Sequence, residues 1–139
     1  MHRRLIFGFL ILLGVFISYS LFIEWRDSIW QKPFNEAIAS YSKGNYLEAE
    51  KVILKSLPEV ERRWPNGAPV AYQMYALALA YDGESKSSKA EEKIRRSIEI
   101  RETMRPPDPV ASATSHSELG RIYMQKNGTP KVKGNCRKP

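Results

Sequence analysis

Apolar residues follow two different patterns along this chain. The run from Leu5 to Ile23 contains no charged residue. From Gln31 to Lys126, apolar residues recur every three or four positions, which is the spacing of amphipathic helices. No stretch shows the strict alternation of a half-buried strand. The pattern predicts an all-α protein whose uncharged N-terminal segment precedes several packed helices.

The N-terminal run has the length of a transmembrane helix. Its 19 residues would span about 28 Å as a helix, close to the hydrocarbon thickness of a bilayer. Arg3 and Arg4 precede the run and Trp25 follows it, which favours a cytoplasmic N-terminus with the bulk of the chain on the periplasmic or extracytoplasmic side. A cleaved signal peptide is the alternative, because Ser18 and Ser20 could flank a cleavage site. The sequence favours the retained anchor, since apolar residues continue past these serines.

Turn-forming residues divide the rest of the chain into five predicted helices. The breaks lie at Gly44–Asn45, Pro65–Gly67, Asp82–Gly83 and Pro106–Pro107. The predicted helices cover about residues 30–42, 45–57, 69–81, 88–104 and 109–125. Three regions follow: a cytoplasmic tip and transmembrane helix over 1–27, a helical domain over 28–126 and a disordered basic tail over 127–139.

Local signals fix some of the helix ends. Asn45 and Ser88 each precede a glutamate by three positions, which is the spacing of a capping box. Asp108 is followed by a proline, a residue suited to the first turn of a helix. Pro58 is expected to end or kink the second helix. The third helix is rich in alanine and almost wholly apolar, so we expect it to be the most buried.

Two short motifs occur twice. The tripeptide Pro-Val-Ala stands at Pro69–Ala71 and, 40 residues later, at Pro109–Ala111. A Leu-Ala/Gly-x-x-Tyr motif stands at Leu77–Tyr81 and, 42 residues later, at Leu119–Tyr123. The second copy matches the first-helix core of the tetratricopeptide repeat, and Ala90–Ile94 matches the second-helix half. The chain therefore resembles a tetratricopeptide repeat (TPR) protein, and its repeat length is similar to that of the kinesin-light-chain-like variety.

The resemblance implies a fold and a set of packing residues. The implied fold is a short right-handed solenoid of helical hairpins, with about two and a half repeats after the transmembrane helix. Small residues would let helices approach closely, and larger ones would fill the gaps between them. The packing positions carried over are Ala49, Ile53, Leu77, Ala78, Tyr81, Ala90, Ile94, Leu119, Gly120 and Tyr123.

The resemblance also implies a binding surface. In proteins with this repeat, the first helix of each unit lines a concave groove that binds peptides or other proteins. The groove positions carried over are Phe34, Ile38, Tyr41, Tyr72, Tyr75, Leu79, Ser117, Arg121 and Met124. The expected function is therefore a membrane-anchored adaptor that docks a protein or peptide partner and attaches to the membrane through residues 5–23.

Composition argues against several other classes of protein. Cys136 is the single cysteine and His2 and His116 are the two histidines, so neither a thiolate metal site nor a catalytic triad is expected. We find no catalytic or phosphate-binding motif and predict no enzyme activity, metal or cofactor. The formal charge is +7, yet residues 31–105 carry 13 basic and 11 acidic side chains. The folded part is thus nearly neutral, and no nucleic-acid partner is expected.

Two further interactions are expected from the C-terminal part. A basic accessory protein that binds anionic lipid or polymer is the alternative function, and its binding residues would be Lys126, Lys131, Lys133, Arg137 and Lys138. Self-association through the fifth helix is also expected, because about three repeats are needed to bury a continuous core. In this interpretation Ile122 and Met124 leave apolar surface that no further helix covers.

Overall fold

The structure is a computed structural model that describes the backbone of His2–Gly128 and the side chains of residues 7–26 and 28–128. Five α-helices follow one another without a strand in this part of the chain. They are α1 (His2–Ser42), α2 (Tyr46–Arg63), α3 (Ala68–Gly83), α4 (Ser87–Thr103) and α5 (Pro109–Lys126). The fold is therefore all-α, as predicted. The predicted basic tail lies outside the described residues from position 129 onward.

Helix α1 is a single helix, so the predicted separate helix over residues 30–42 is wrong. The prediction failed because the charged residues after Ile23 interrupt the apolar pattern without interrupting the helix. The segment from Glu24 to Gln31 holds neither glycine nor proline. Pro33 removes one helical N–H donor but lies inside the helix without ending it. At 1.5 Å per residue, the 41 residues of α1 extend about 62 Å.

The N-terminal half of α1 is largely exposed to solvent over the described apolar side chains from Phe7 to Phe22. Its most apolar window has a mean hydropathy of 2.0, and none of that window is buried inside the protein. Large side chains such as Phe7, Phe16 and Leu21 are all more than half exposed. A core helix of a soluble domain would bury such a surface. This exposed apolar helix is consistent with a signal anchor or a signal peptide.

The helices pack in the order of the chain. Each contacts the next one, and α1 also contacts α3. Helix α3 is buried from Val70 to Asp82 except at Tyr72 and Tyr75, which confirms that it is the most buried helix. Its alanines at 76, 78 and 80 are almost fully buried, and their small side chains let neighbouring helices approach its backbone closely.

The main hydrophobic core joins all five helices. Its buried members are Ala37, Ala49, Ile53, Ala76, Leu77, Ala78, Ala80, Tyr81, Ala90, Ile94 and Ile122, and Leu119 packs against it partly buried. A second cluster of Val60, Val70, Ala71, Met74 and Ile100 lies near the start of α3. The residues predicted to pack between the helices therefore lie in or beside the main core, except Gly120 and Tyr123.

The close helix approach predicted at Gly120 does not occur among the described residues. Gly120 is exposed, and a Cβ atom placed on it would meet nothing within 4 Å. Tyr123 is partly buried at the edge of α4, where its hydroxyl donates to Glu91 Oε1 at 2.9 Å. Both positions lie on the last described helix, so no following helix covers them as it would in a complete repeat.

Helix α5 closes the core more fully than the sequence predicted. Ile122 is 1% exposed and lies in the main core, so its assignment to an uncovered surface is wrong. Ser115, on the same helix, is fully buried as well. Met124 is 58% exposed and keeps its predicted place on the surface. The apolar surface predicted for self-association is therefore reduced.

A buried amide ties three helices together. Gln73 of α3 is fully buried, and its Nε2 donates to the main-chain oxygen of Trp30 in α1 at 3.2 Å. Its Oε1 accepts from Ser56 Oγ of α2 at 2.9 Å. Because both ends of the amide are hydrogen-bonded, the burial of this polar group is compensated.

The predicted helix ends are only partly observed. Asp108 caps α5, since its Oδ1 accepts from the main-chain N–H of Ala111 at 3.0 Å. Asn45 stands at the start of α2 but its side chain makes no capping hydrogen bond. Ser88 lies inside α4, so it does not form the predicted capping box. Pro58 is exposed within α2, and the helix continues for five residues beyond it.

Gly83 is predicted to be essential for the packing of α3 against the start of α2. A Cβ atom at this position would lie 2.6 Å from Tyr46 Cε1 and even closer to the atoms near the base of that ring. We expect Gly83→Ala to lower the free energy of unfolding by about 1–3 kcal/mol, as overpacking does. The measurement is chemical unfolding of the full chain in detergent, followed by circular dichroism.

Gly120→Ala is the matched control for this prediction. It also replaces a helical glycine, but at a position with open space around it. We expect a gain of about 0.5–1 kcal/mol from the better helix propensity of alanine. Equal stability of the two variants would contradict the assignment of Gly83.

Candidate functional site

A surface pocket lies between α1, α3 and α5, with one wall residue from α4. Its volume is about 270 Å³. The lining residues are Phe34, Tyr72, Tyr75, Arg101, Asp108, Val110, Ala111 and Thr114. The pocket sits near the N-terminal ends of α3 and α5. It is thus formed mainly by the alternate helices that the sequence predicted to line a groove.

Aromatic rings form one wall of this pocket. The ring of Tyr72 stacks on that of Trp30, with centroids 5.3 Å apart and planes 16° from parallel. Phe34 meets the same tyrosine ring edge-on at 5.4 Å. Such aromatic contacts add to the stability gained from burial alone. They join α1 to α3 and hold the wall in a defined shape.

Arg101 of α4 reaches into the pocket beneath the tyrosines. Its Cζ lies 4.7 Å from the ring centroid of Tyr72 and 5.7 Å from that of Tyr75. Its Nε donates to Ser97 Oγ at 3.1 Å, and that hydroxyl donates to the main-chain oxygen of Ala71 at 2.8 Å. Burial lowers the pKa of Arg101, and burial likewise raises the pKa of the Tyr75 hydroxyl. The site therefore combines apolar surface with one cationic group, Arg101, and one carboxylate, Asp108.

An ion-pair cluster lies further along the same face. Arg121 of α5 donates from Nη1 to Asp82 Oδ2 at 2.8 Å and from Nε to Glu118 Oε2 at 2.7 Å. Burial acts to lower the pKa of Arg121, but the bonds to both carboxylates outweigh it and raise that pKa. Burial also raises the pKa of nearby Tyr41. The cluster fixes α5 to the end of α3.

The predicted groove residues separate into four groups. Phe34, Tyr72 and Tyr75 line the pocket together. Ile38, Tyr41 and Leu79 pack into or against the core, and Arg121 belongs to the ion-pair cluster. Ser117 and Met124 are exposed on α5 and do not line the pocket. Leu79 is therefore a core side chain rather than a groove side chain, because α3 is covered on that side.

The sequence did not identify five of the lining residues as part of the site: Arg101, Asp108, Val110, Ala111 and Thr114. Val110 and Thr114 are spaced like the predicted Ser117 and Arg121 along one face of α5, so helical spacing extended toward the N-terminus would have found them. Asp108 was interpreted only as a cap. Arg101 lies on the apolar stripe of α4. The hydrophobic pattern alone does not predict a role for a charged residue at that position.

The described part of the chain contains no cluster of three or more metal-ligating side chains. His116 is exposed, and its Nε2 lies 2.9 Å from Glu102 Oε1. Cys136 lies outside the described residues.

Comparison with known proteins does not assign a family. No protein-family model matches the chain, and neither curated proteins nor solved structures provide a significant match.

The contact between Arg121 and Asp82 is predicted to stabilise the last helix. The Asp82 side chain is only 3% exposed, so Arg121→Met would leave a buried carboxylate without its cation. We expect a loss of about 2–3 kcal/mol, below the value for fully buried pairs because the arginine is one-third exposed. The measurement is chemical unfolding of the full chain.

Arg95→Met is the control, since Arg95 binds Glu91 on an exposed surface. It should cost less than about 1 kcal/mol. Adding Asp82→Asn to Arg121→Met should recover part of the loss by removing the unpaired charge. A double variant no more stable than Arg121→Met would contradict this account.

Proposed function

We propose that this protein is a membrane-anchored, TPR-like adaptor that binds a protein or peptide segment on the face shared by α1, α3 and α5. The observation that supports the proposal most directly is the aromatic pocket. Phe34, Tyr72 and Tyr75 were assigned to a groove from the repeat register, and they surround one pocket. Aromatic side chains beside an arginine are typical of the residues that dominate binding energy at interfaces.

The arrangement of the helices supports the TPR-like interpretation. The helices pack in chain order, and the additional contact between α1 and α3 joins the first helices of successive hairpins. Stacked repeats place equivalent helices side by side in this way. The two Leu-Ala/Gly-x-x-Tyr motifs fall on α3 and α5, which are the corresponding helices of two successive units.

The form of α1 supports a retained membrane anchor, and Arg3 and Arg4 before the apolar run support a cytoplasmic N-terminus. The apolar segment continues without a break into the helix that carries Phe34 of the pocket. Trp25, two residues beyond the apolar run, lies under the guanidinium of Arg63 from α2, at 5.1 Å. Tryptophan and arginine are both suited to the interface between lipid and water. The folded domain would then lie next to the membrane surface.

Other proposed interactions have less support. Lys126 binds Glu91 Oε2 at 3.0 Å, and the remaining lysines and arginine of the proposed lipid- or polymer-binding tail lie outside the described residues. Self-association through α5 stays a prediction that rests on the exposed Met124. We propose no enzyme activity, cofactor or nucleic-acid partner.

Blocking the pocket should prevent partner binding without unfolding the protein. Thr114 lines the pocket from an exposed position on α5, so Thr114→Trp would fill the pocket while leaving the core intact. Ala113→Trp adds the same side chain at the adjacent exposed position, which does not line the pocket. The measurement is capture of proteins from detergent-solubilised membranes by the tagged full chain, after both variants are shown to melt normally.

We expect Thr114→Trp to reduce capture at least about tenfold, as the loss of one hot-spot contact does, and Ala113→Trp to preserve it. Equal capture by the two variants would argue against binding on this face.

The proposed topology gives a separate prediction. A reporter fused after Gln125 should be active only on the extracytoplasmic side, and the protein should stay in the membrane fraction after a carbonate wash. A mature N-terminus near Leu21, or a fully soluble intact chain, would contradict the retained anchor and favour the cleaved signal peptide.

A further inference from the structure

The turn between α2 and α3 lies near the end of the apolar run in α1. Helix α2 ends at Arg63, and the Cζ atom of Arg63 lies 5.1 Å from the ring centroid of Trp25 in α1. Trp25 follows Ile23, the last residue of the run, by two positions, which is about 3 Å along a helix. The turn, residues 64–67, therefore begins within the length of one arginine side chain from the end of the apolar run.

All three tryptophans of the chain lie at this end of the folded domain. Trp25 is 54% exposed, and Trp64, the first residue of the turn, is partly buried. Trp30 stacks on Tyr72, and both Trp30 and Trp64 pack against the second hydrophobic cluster. Tryptophan is enriched where a membrane-spanning helix leaves the lipid, because its ring is apolar and its N–H is polar. These residues mark the end of the domain that is suited to face lipid.

The α2–α3 turn is short and held in one conformation. The N–H of Gly67 donates to the main-chain oxygen of Trp64 at 2.9 Å, and Arg96 of α4 donates to the side-chain oxygen of Asn66. A Cβ atom at Gly67 would lie 3.1 Å from the Cβ atom of Trp64, so the chain passes close to the base of that side chain. Pro65 and Asn66 are exposed. The turn therefore presents an apolar proline beside a tryptophan in a fixed arrangement.

The charges near the turn show no positive excess. Arg62 and Arg63 both bind Glu59, and Glu61 is exposed beside them. The last turn of α2 thus holds two guanidinium groups and two carboxylates. On α1, residues 24–27 hold one arginine and two acidic residues. Anionic lipids attract clusters of basic residues, so this surface has no electrostatic preference for them.

We propose that the α2–α3 turn, through Trp64 and Pro65, enters the headgroup layer of the bilayer as a second membrane contact beside the anchor. This inference rests on the proposed function, because it requires the retained span. The headgroup layer on each side of a bilayer is about 5–8 Å thick. Packed helices lie about 8–10 Å apart, so the usual span tilt of about 20°, directed toward α2, lowers the turn by about 3 Å. The turn is therefore within reach of the phospholipid headgroups.

A fluorophore at the tip of the turn tests the proposal on the full chain. Cys136→Ser removes the natural thiol, and Pro65→Cys or Ser42→Cys then carries the environment-sensitive dye NBD. Ser42 is exposed at the C-terminal end of α1, 17 residues and about 26 Å beyond Trp25, which makes it the matched control. Each labelled protein is placed in nanodiscs of zwitterionic phosphatidylcholine, with and without lipid that carries a nitroxide on its headgroup.

We expect NBD at residue 65 to emit at shorter wavelength than NBD at residue 42 and to lose most of its intensity to the nitroxide lipid. NBD at residue 42 should emit as it does in water and keep its intensity. The difference should persist at high salt and need no anionic lipid, because the contact does not depend on net charge. Fully hydrated emission at residue 65, or a shift that occurs only with anionic lipid, would overturn the proposal.

Glu61→Cys provides a second label position in case Pro65→Cys does not fold. Glu61 is exposed and lies two residues before the end of α2. NBD at residue 61 should therefore show the same shift to shorter wavelength relative to residue 42, and the absence of that shift would count against the proposal equally.

The outcome is separable from that of the proposed function. If the chain stays in carbonate-washed membranes and Thr114→Trp abolishes partner capture, but NBD at residue 65 remains hydrated, the anchored adaptor stands and this inference fails. If NBD at residue 65 enters the headgroup layer but capture is insensitive to Thr114→Trp, the membrane contact stands and the adaptor function fails.

Discussion

The structure depends on the burial of α3 by its neighbours. Alanines let α1, α2 and α4 approach its backbone, and the larger Leu77 fills the space between them. Because α3 is apolar on almost every side, hydrophobic burial alone does not fix the positions of the helices around it. Polar contacts define those positions. Gln73 supplies one such contact, with bonds to α1 and α2 that both require a defined position of the amide. The aromatic pocket is formed partly by the same helix, so these contacts also fix the position of the pocket wall.

Two arginines on the same face of the protein contribute to the structure in different ways. Arg121 is surrounded by carboxylates, so its charge is used to hold α5 against α3. Arg101 contacts tyrosine rings and a hydroxyl, and Asp108 in the same pocket acts on its charge without an ion pair.

Much of the fold could be predicted from the sequence because glycine and proline mark the turns. The ends of α3 and α5 follow from Gly83, Asp108 and the proline after it. The continuity of α1 could not be predicted, because charged residues break a pattern of hydrophobicity without breaking hydrogen bonds along a helix. Ile122 was misplaced for a related reason: one helix in isolation does not reveal which of its sides the neighbours will cover.

The candidate site could be predicted only in part. The repeat register inferred from the TPR resemblance predicted Phe34, Tyr72 and Tyr75 as groove residues, and all three line the pocket. That register could not identify Arg101, because Arg101 lies on α4, outside the helices assigned to the groove. Its role depends on the contacts between helices, and a single sequence holds no direct record of these.

If the proposed anchor is retained, the unbroken α1 also determines how the pocket relates to a bilayer. Phe34 lies eleven residues beyond Ile23, so in the proposed orientation the pocket wall begins about 16 Å along the helix from the end of the apolar span. A flexible linker would let the domain sample many orientations, whereas a continuous helix keeps the domain in one orientation relative to the span. Any tilt of the span within the lipid would therefore displace the pocket parallel to the membrane plane. Membrane thickness, through its effect on tilt, would thus set the direction in which the protein meets its partner.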